Sequence, residues 1–182
     1  ELVFPELNAG SIHSIINTSK GNRYDIIKTL DLKVLEDKRI FSIDDRMRIY
    51  DRVSVDAVAS AEEVLGATQF LDTLIGNRSK LYISSATPEN IMIEIIKKRG
   101  WSHYFNGIYG SPSTKQSHIS DIRKLHNSTD KMIYFGDSEI DFCASTECNI
   151  DFIGIFTSRR KPNWFVGNEY STNFYNLRKK WA

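Results

Sequence analysis

The sequence of 182 residues has little cysteine, almost no net charge and no long apolar run, and each shortage argues against a class of protein. Cys143 and Cys148 are the only cysteines, which argues against a disulfide framework, so we expect reduced thiols and a cytoplasmic protein. The 24 basic and 23 acidic residues leave a net charge of +1, which gives no indication of a nucleic-acid or membrane surface. No apolar stretch approaches the roughly 20 residues needed to cross a bilayer, and the first residues show no signal-peptide pattern.

The pattern of apolar residues divides the chain into two parts. Residues 1–62 are expected to be mostly helical, with Asp44 and Asp45 capping a helix that runs through Val55. A further helix is predicted over 61–75. From residue 80 onward, short apolar strands alternate with helices, which predicts a parallel sheet covered by helices on both faces. We therefore expect an α/β fold whose core, residues 63–182, is a Rossmann-like three-layer domain. The predicted strands are 80–84, 105–109, 131–135 and 151–155, and the predicted helices of this part are 89–98, 115–126, 139–147 and 174–181.

Three short segments place polar side chains at turns beside these strands. Ser85 ends the apolar run that begins at Leu81, Lys115 follows a Gly-Ser-Pro-Ser-Thr turn, and Asp137 follows the run Ile133–Gly136. Ligands of parallel sheets bind outside the carboxyl ends of the strands, so we expect these three side chains to meet at one edge. A hydroxyl group, an ammonium group and a carboxylate suit a phosphate and a divalent cation.

Ser85, Ala86 and Lys115 are the candidates for binding the phosphate. Ser85 and Ala86 precede a predicted helix start, whose unpaired amides and positive dipole end favour an anion. Lys115 opens a helix, where an ammonium group is disfavoured unless an anion lies between it and the amides. Each residue also has a simpler interpretation, with Ser85 as a cap of the next helix and Lys115 as an exposed surface lysine.

Asp137 and Asp141 are the candidates for binding a metal ion. They lie one helical turn apart, and two carboxylates at this spacing suit Mg²⁺, which takes one or two protein carboxylates and keeps several waters. The alternative is that Asp137 caps the helix that follows it.

Together these segments make the stretch from about Gly66 to Ile155 resemble the haloacid dehalogenase (HAD) superfamily of phosphohydrolases. Leu81–Ser85 is similar to its second motif, Lys115 to its third, and Gly136–Asp141 to its fourth, Gly-Asp-x-x-x-Asp. The resemblance implies that Ser85 and Lys115 are catalytic and hold the transferred phosphoryl group, and that Asp137 binds the cofactor Mg²⁺ with Asp141 supporting or joining it. It also implies a small phosphorylated metabolite as substrate and residues 1–62 as a small helical cap.

The first motif of that superfamily, an Asp-x-Asp nucleophile, has no good match in this sequence. The segment Ile40–Arg46 carries an arginine where the second carboxylate belongs, and the segment Leu2–Ser11 offers only Glu6 and Asn8 as replacements. In capped members the first motif lies well before the second, as the resemblance implies. We therefore expect the nucleophile upstream of residue 1 and a cap that is incomplete at its N-terminus.

Arg23 is a further candidate for binding a substrate anion through its fork of donors. It lies in a Gly-Asn-Arg-Tyr segment that resembles a cap segment of the same superfamily, and the alternative is a solvated arginine at a helix start. Arg46 and Arg48 are weaker candidates.

The expected function is therefore Mg²⁺-dependent hydrolysis of a phosphomonoester, and the alternative is an inactive scaffold that binds phosphate or metal. A receiver-like signalling domain is disfavoured, because its phosphoacceptor aspartate precedes the hydroxyl and the lysine, whereas Asp137 comes last. A dehalogenase or phosphomutase would use the same scaffold, but the Gly-Asp-x-x-x-Asp segment favours a metal-dependent reaction.

Overall fold

The computed structural model describes residues 2–18, 23–127, 129–157, 161–167 and 169–181. The chain divides into two compact units, Glu1–Ser60 and Ala61–Ala182, which we call the helical unit and the core unit. Among the helices that are described, none is both long enough and apolar enough to cross a membrane.

Three α-helices are described in the helical unit, with α2 packing on both α1 and α3. The third helix begins at a capping box in which Ser42 Oγ accepts a hydrogen bond from the Asp45 amide (3.1 Å) and Asp45 Oδ2 accepts one from the Ser42 amide (3.3 Å). The predicted cap at Asp44 and Asp45 was therefore misplaced, because the serine before them satisfies the first amides of the helix. The helices are α1 (Ala9–Thr18), α2 (Arg23–Asp31) and α3 (Ile43–Ser60), and a 3-10 turn spans Glu36–Lys38.

Arg46 lies fully buried at the centre of the helical unit. Its Nε donates to Asp31 Oδ1 (2.9 Å), and its two terminal nitrogens donate to the two oxygens of Glu6 (2.6 and 3.0 Å). The guanidinium group also lies 4.5 Å from the centre of the Phe4 ring. The hydrogen bond from Arg46 lowers the pKa of Glu6 to about 2. The buried guanidinium group is thus paired with two carboxylates inside the unit.

Two minor expectations are corrected by this cluster. Arg46 is enclosed and paired, so it is not available to a substrate anion. Residues 2–8 contain no strand, and Glu6 is bound by Arg46 and by the amide of Ile40 (2.9 Å), so this segment is not a replacement for a nucleophile motif.

The core unit confirms the predicted α/β fold. Its first helix is shorter than predicted, because Gly66 has a φ of +82° and a side chain there would lie 2.5 Å from the backbone nitrogen of Tyr175. The helix therefore begins at Ala67 and not at residue 61. The elements are α4 (Ala67–Gly76), β1 (Tyr82–Pro88), α5 (Glu89–Lys98), β2 (Gly107–Ser111), α6 (Lys115–Lys124), β3 (Ile133–Gly136), α7 (Glu139–Glu147), β4 (Asp151–Ile155), β5 (Tyr170–Ser171) and α8 (Phe174–Trp181).

The strands that the structure describes form two parallel sheets. In the first sheet β1 pairs with β2, with Tyr82 opposite Gly107. In the second sheet β4 lies between β3 and β5, with Ile133 opposite Asp151 and Ile155 opposite Ser171. No described strand lies next to β1 except β2, or next to β3 except β4.

Helices cover both faces of the second sheet. Ile153 and Ile155 of β4 pack in one apolar cluster with residues of α4 and α8, whereas the ring of Phe152 packs on Phe142 of α7 at 5.4 Å. Because side chains alternate along a strand, α4 and α7 lie on opposite faces. Helix α6 packs on α7 and on β1, so it shares the face of α7. The core unit is therefore three layers thick.

Candidate functional site

The carboxyl end of β1 carries Ser85 and Ala86 on a bulge. Ser84 pairs with Tyr109 and Pro88 with Ser111, so three residues of β1 lie opposite one residue of β2. The strand therefore runs to Pro88, beyond the predicted end at Ser84. Ser85 is half-buried and its Oγ accepts a hydrogen bond from the Thr87 amide (3.1 Å), while Ala86 is exposed. The bulge takes these residues out of the regular hydrogen-bond ladder between β1 and β2. A ligand can therefore reach this part of the strand.

Lys115 is held at the start of α6. Thr114 caps the helix, with its Oγ1 accepting a hydrogen bond from the Ser117 amide (3.2 Å). The Lys115 side chain is only 15% exposed, and its ammonium group donates to Oδ1 of Asp141. Lys115 is therefore not the exposed surface lysine of the simpler interpretation.

Asp141 is the most fully hydrogen-bonded carboxylate among the candidate site residues. Its Oδ1 accepts from Lys115 and from the Tyr134 hydroxyl (3.0 Å), and its Oδ2 accepts from the Ser138 amide (3.2 Å) and hydroxyl (2.7 Å). Burial alone would raise the pKa of Asp141, but the hydrogen bonds from Lys115 and Ser138 outweigh it and the pKa is lowered. A side chain at Gly136 would lie 2.5 Å from Cβ of Asp141, which explains the glycine in the Gly-Asp-x-x-x-Asp segment.

Asp137 is exposed at the carboxyl end of β3. It borders a cavity of about 440 Å³ that Gly136 and Thr157 also line. Ser138, and not Asp137, caps α7, since its Oγ accepts from the Asp141 amide (3.3 Å). The helix-cap alternative for Asp137 is therefore wrong, and no described residue occupies its carboxylate with a hydrogen bond or an ion pair.

The two carboxylates predicted to bind Mg²⁺ differ in their fit to a cation. The four donors around Asp141 fill the roughly four acceptor positions of a carboxylate. Asp137 presents an exposed carboxylate, and Mg²⁺ commonly takes one or two such groups and completes its shell with waters and phosphate oxygens. Asp137 thus fits a magnesium ligand, whereas Asp141 fits a group that positions Lys115, and both roles remain predictions. Within the described ranges, no group of three or more His, Cys, Asp or Glu side chains is gathered for a metal ion.

The sequence did not single out His118, which ties α6 to two strands. Its ring is 2% exposed, and Nε2 lies 3.1 Å from the carbonyl oxygen of Gly110 while Nδ1 lies 2.9 Å from Ser84 Oγ. A carbonyl oxygen only accepts, so Nε2 carries the proton and Nδ1 accepts from the serine hydroxyl. Burial lowers the pKa of His118, which keeps the imidazole neutral. The available signal was its position one turn after Lys115, on the face that carries Ile119.

Tyr134 is the second residue that the sequence did not single out. Its hydroxyl donates to Asp141 and lies 3.5 Å from the backbone oxygen of Ser84, and burial raises its pKa, so the hydroxyl stays protonated. The contacts from Lys115 to Asp141, Tyr134 and Ser84 therefore connect the three predicted segments. The available signal was a single polar aromatic residue within the apolar run of β3.

The arginine candidates lie in the helical unit. Arg23 opens α2, and its side chain lies outside the described part of the structure. Arg48 is exposed and pairs with Asp45 at 3.0 Å within the same helix.

Comparisons with known proteins agree with this geometry. A family model described as haloacid dehalogenase-like hydrolase matches residues 3–155. No curated protein matches the chain. Similar solved structures include a haloacid dehalogenase-like family hydrolase from Streptococcus pneumoniae (16% identity, 100% of this chain and 87% of that chain, TM-score 0.66). CbbY from Rhodobacter sphaeroides in complex with phosphate is also similar (14% identity, 96% of this chain and 85% of that chain, TM-score 0.70). The HAD-hydrolase YfnB from Bacillus subtilis bound to magnesium is similar as well (13% identity, 98% of this chain and 87% of that chain, TM-score 0.73). At these identities the structures establish a shared fold.

Proposed function

Because the chain belongs to the haloacid dehalogenase-like hydrolase family, we propose that it is a Mg²⁺-dependent phosphomonoester hydrolase acting on a small phosphorylated metabolite. The observation that carries the proposal is the hydrogen-bond network that joins Lys115, Asp141, Tyr134 and Ser84. It fixes an ammonium group beside the carboxyl ends of β1 and β3, where Ser85 and Asp137 emerge.

Lys115 and Ser85 are proposed to hold the transferred phosphoryl group. The ammonium group of Lys115 would neutralise charge on the phosphoryl oxygens, and its contact with Asp141 keeps it in place during the reaction. The Ser85 oxygen already accepts from Thr87, so its own proton is available for a phosphoryl oxygen. The backbone at exposed Ala86 lies on the same bulge.

The reaction is proposed to pass through an aspartyl phosphate formed on an aspartate upstream of residue 1. In the first step a carboxylate oxygen bonds to phosphorus while the ester P–O bond breaks, and the leaving alkoxide takes a proton from the second acid of the motif. In the second step a water oxygen bonds to phosphorus and gives a proton to the second carboxylate of the motif, while the acyl phosphate P–O bond breaks. The products are inorganic phosphate and the regenerated carboxylate.

Asp137 would hold Mg²⁺, with Asp141 fixing Lys115 beside it. When bound, the ion would offset negative charge on the phosphoryl oxygens. Support comes from the exposed carboxylate of Asp137, and YfnB shows that a protein of this fold binds magnesium.

The helical unit is proposed as the cap that selects the substrate, with Arg23 as its candidate anion-binding residue. The three helices and the ion cluster of Arg46 make it a compact body of its own. Cys143 and Cys148 are both unpaired thiols, which supports the proposed cytoplasmic location.

An inactive scaffold that binds phosphate or metal is the second candidate. It is favoured by the lack of any Asp-x-Asp pair in the 182 residues and by the engagement of Glu6 with Arg46. The two candidates predict different results when the encoded protein, with any residues that precede Glu1, is given a panel of phosphorylated sugars and p-nitrophenyl phosphate. The hydrolase releases phosphate, and release stops when Mg²⁺ is chelated. A protein that binds inorganic phosphate but releases none from any compound would be the scaffold.

A further inference from the structure

His118 of α6 is a buried histidine whose two ring nitrogens bind partners on two different strands. The residue is only 2% exposed. Its Nδ1 accepts a hydrogen bond from the Ser84 hydroxyl of β1 (2.9 Å), and its Nε2 donates one to the carbonyl oxygen of Gly110 of β2 (3.1 Å). Because each nitrogen has its own partner and the ring is rigid, the imidazole is fixed both in its orientation and in its tautomer.

The hydrogen bond from Ser84 holds the first end of the bulge in β1, which comprises residues 85–87. Ser84 pairs with Tyr109 in the regular register of the two strands, and the bulge follows it directly. A bulge locally disrupts the ladder, so its residues are held less firmly by the neighbouring strand than those of a regular ladder. The bond to His118 therefore fixes the chain at the residue immediately before Ser85.

The hydrogen bond to Gly110 holds the part of β2 that lies against the second end of the bulge. Gly110 is the single residue of β2 that lies opposite the three bulge residues. A side chain at this glycine would overlap the backbone nitrogen of Glu89 and lie 2.6 Å from the backbone oxygen of Thr87. Since the backbones are in such close contact, a ring bound to the Gly110 carbonyl also restrains the end of the bulge.

The helix that carries His118 also carries Lys115. The two residues lie one helical turn apart at the start of α6, so their positions on the helix are neighbours. A turn of α-helix is held by its own backbone hydrogen bonds and moves as one piece. The contacts of His118 with Ser84 and Gly110 therefore fix the first turn of α6, and with it Lys115, relative to the bulge.

We infer that His118 is a positioning residue, which holds the bulge of β1 in a fixed place relative to Lys115. The ring is enclosed, so it acts through Ser84 and Gly110 and not by touching a ligand. A neutral imidazole suits this task because it presents a donor and an acceptor at opposite sides of a rigid ring. That the bulge and Lys115 bind a phosphate rests on the proposed function, whereas the fixed place of the bulge does not.

Two substitutions remove the same hydrogen bond from its two sides. His118→Gln keeps an amide donor for the Gly110 carbonyl but loses the acceptor at the position of Nδ1, and Ser84→Ala removes the hydroxyl group. Because both variants lose one bond, their effects should not add, and the double variant should resemble the stronger single one. Ser84→Ala removes a single oxygen atom, so it keeps the test decisive if His118→Gln does not fold.

His126 provides the matched control. Its Nε2 lies 2.8 Å from the Tyr82 hydroxyl, so it also connects β1 to the segment that α6 leads into, through a partly buried hydrogen bond. Tyr82 lies at the first residue of β1, at the other end of the strand from the bulge. His126→Gln should therefore lower the melting temperature but leave the bulge unchanged. If His118 were only structural, the two histidines would behave alike.

The experiment has two readouts, both taken at a temperature at which circular dichroism shows the protein folded. Calorimetric titration with inorganic phosphate in the presence of Mg²⁺ measures affinity, and amide hydrogen exchange by NMR measures how firmly Ala86 and Thr87 are held. In His118→Gln and in Ser84→Ala we expect affinity to fall and exchange at these two amides to rise, each by about three- to tenfold. This range corresponds to the usual net contribution of one hydrogen bond, which lowers the population of the binding-competent arrangement when it is lost. His126→Gln should change neither readout.

The inference is overturned if folded Ser84→Ala or folded His118→Gln binds phosphate as tightly as the parent protein, or if His126→Gln weakens binding equally. Additive losses in the double variant contradict it as well, and so does a loss of the fold in both single variants, because the ring would then support the whole unit. Failure of the proposed function looks different, since the folded parent protein itself would bind no phosphate. Hydrogen exchange then decides alone. Faster exchange at Ala86 and Thr87 in both single variants but not in His126→Gln supports the inference, and any other exchange result overturns it.

Discussion

The ammonium group of Lys115 and the buried carboxylate of Asp141 form an ion pair that joins the first turns of α6 and α7. The pair holds a positive charge at a fixed place near the carboxyl ends of β1 and β3. From its position one turn after Asp137, Asp141 reaches both Ser138 and the lysine.

Replacement of Lys115 by methionine should remove the charge that stabilises the transferred phosphoryl group. We expect phosphate release by the encoded protein to fall by about 10²–10³-fold, the usual cost of losing one fixed electrostatic partner of the transition state. Lys124→Met is the matched control on the same helix, since Lys124 is exposed and pairs only locally with Asp121. Equal losses in both variants would contradict the role of Lys115.

Replacement of Asp141 by asparagine should destabilise the core unit. It leaves the partly buried ammonium group of Lys115 unpaired and weakens the cap of α7, so the free energy of unfolding at pH 7 should fall by about 3 kcal/mol. Urea denaturation measures this loss.

The pH dependence of stability gives a second measure of Asp141. Its pKa is below the ordinary value of 3.8 in the folded protein, so its contribution is complete above that value and is lost as the pH falls through the folded pKa. The Asp141→Asn variant should therefore lose less stability than the parent protein when the pH is lowered below about 4. Identical acid profiles would contradict the pairing.

Replacement of Asp137 by asparagine should remove the response to magnesium without destabilising the protein. Its carboxylate is exposed, so without metal the free energy of unfolding should change by no more than about 0.5 kcal/mol and the melting temperature should change little. The rise in melting temperature on addition of Mg²⁺ should disappear. Glu139→Gln, an exposed acid two residues away, should keep that rise, and its loss in both variants would argue against a specific ligand.

His118 should make stability depend on pH below its ordinary pKa of 6.5. Its pKa is lowered by burial, so the unfolded chain binds more protons in this range and stability should rise as the pH increases towards 6.5. His118→Gln should remove this slope and cost about 1–3 kcal/mol, because the carbonyl of Gly110 or the hydroxyl of Ser84 loses a partner. Exposed His103→Gln should retain the slope, measured by thermal denaturation between pH 5 and 7.

Most of the secondary structure was predictable from local signals. Helices α5 and α7, strand β4 and the last helix have the predicted bounds, because turns, glycine and capping residues mark their ends. The helix expected over 61–75 was too long, since nothing local shows that Gly66 lies against the backbone of Tyr175. The start of this helix is set by a contact between residues that are far apart in the sequence.

The candidate site was predictable only in part, for the same reason. Lys115, Ser85 and Asp137 were identified from their places after turns and strands. The bonds of Asp141 to Lys115 and Tyr134, and those of His118 to Ser84 and Gly110, connect different elements and leave no periodic signal in the sequence.

The most direct test of the central claim is calorimetric titration of the folded chain with inorganic phosphate in the presence of Mg²⁺. The account predicts one phosphate per chain, with affinity about tenfold or more weaker in Lys115→Met and Asp137→Asn and unchanged in Lys124→Met. Equal affinity in the parent protein and the Lys115→Met variant, or no binding to a folded parent protein, would contradict the account.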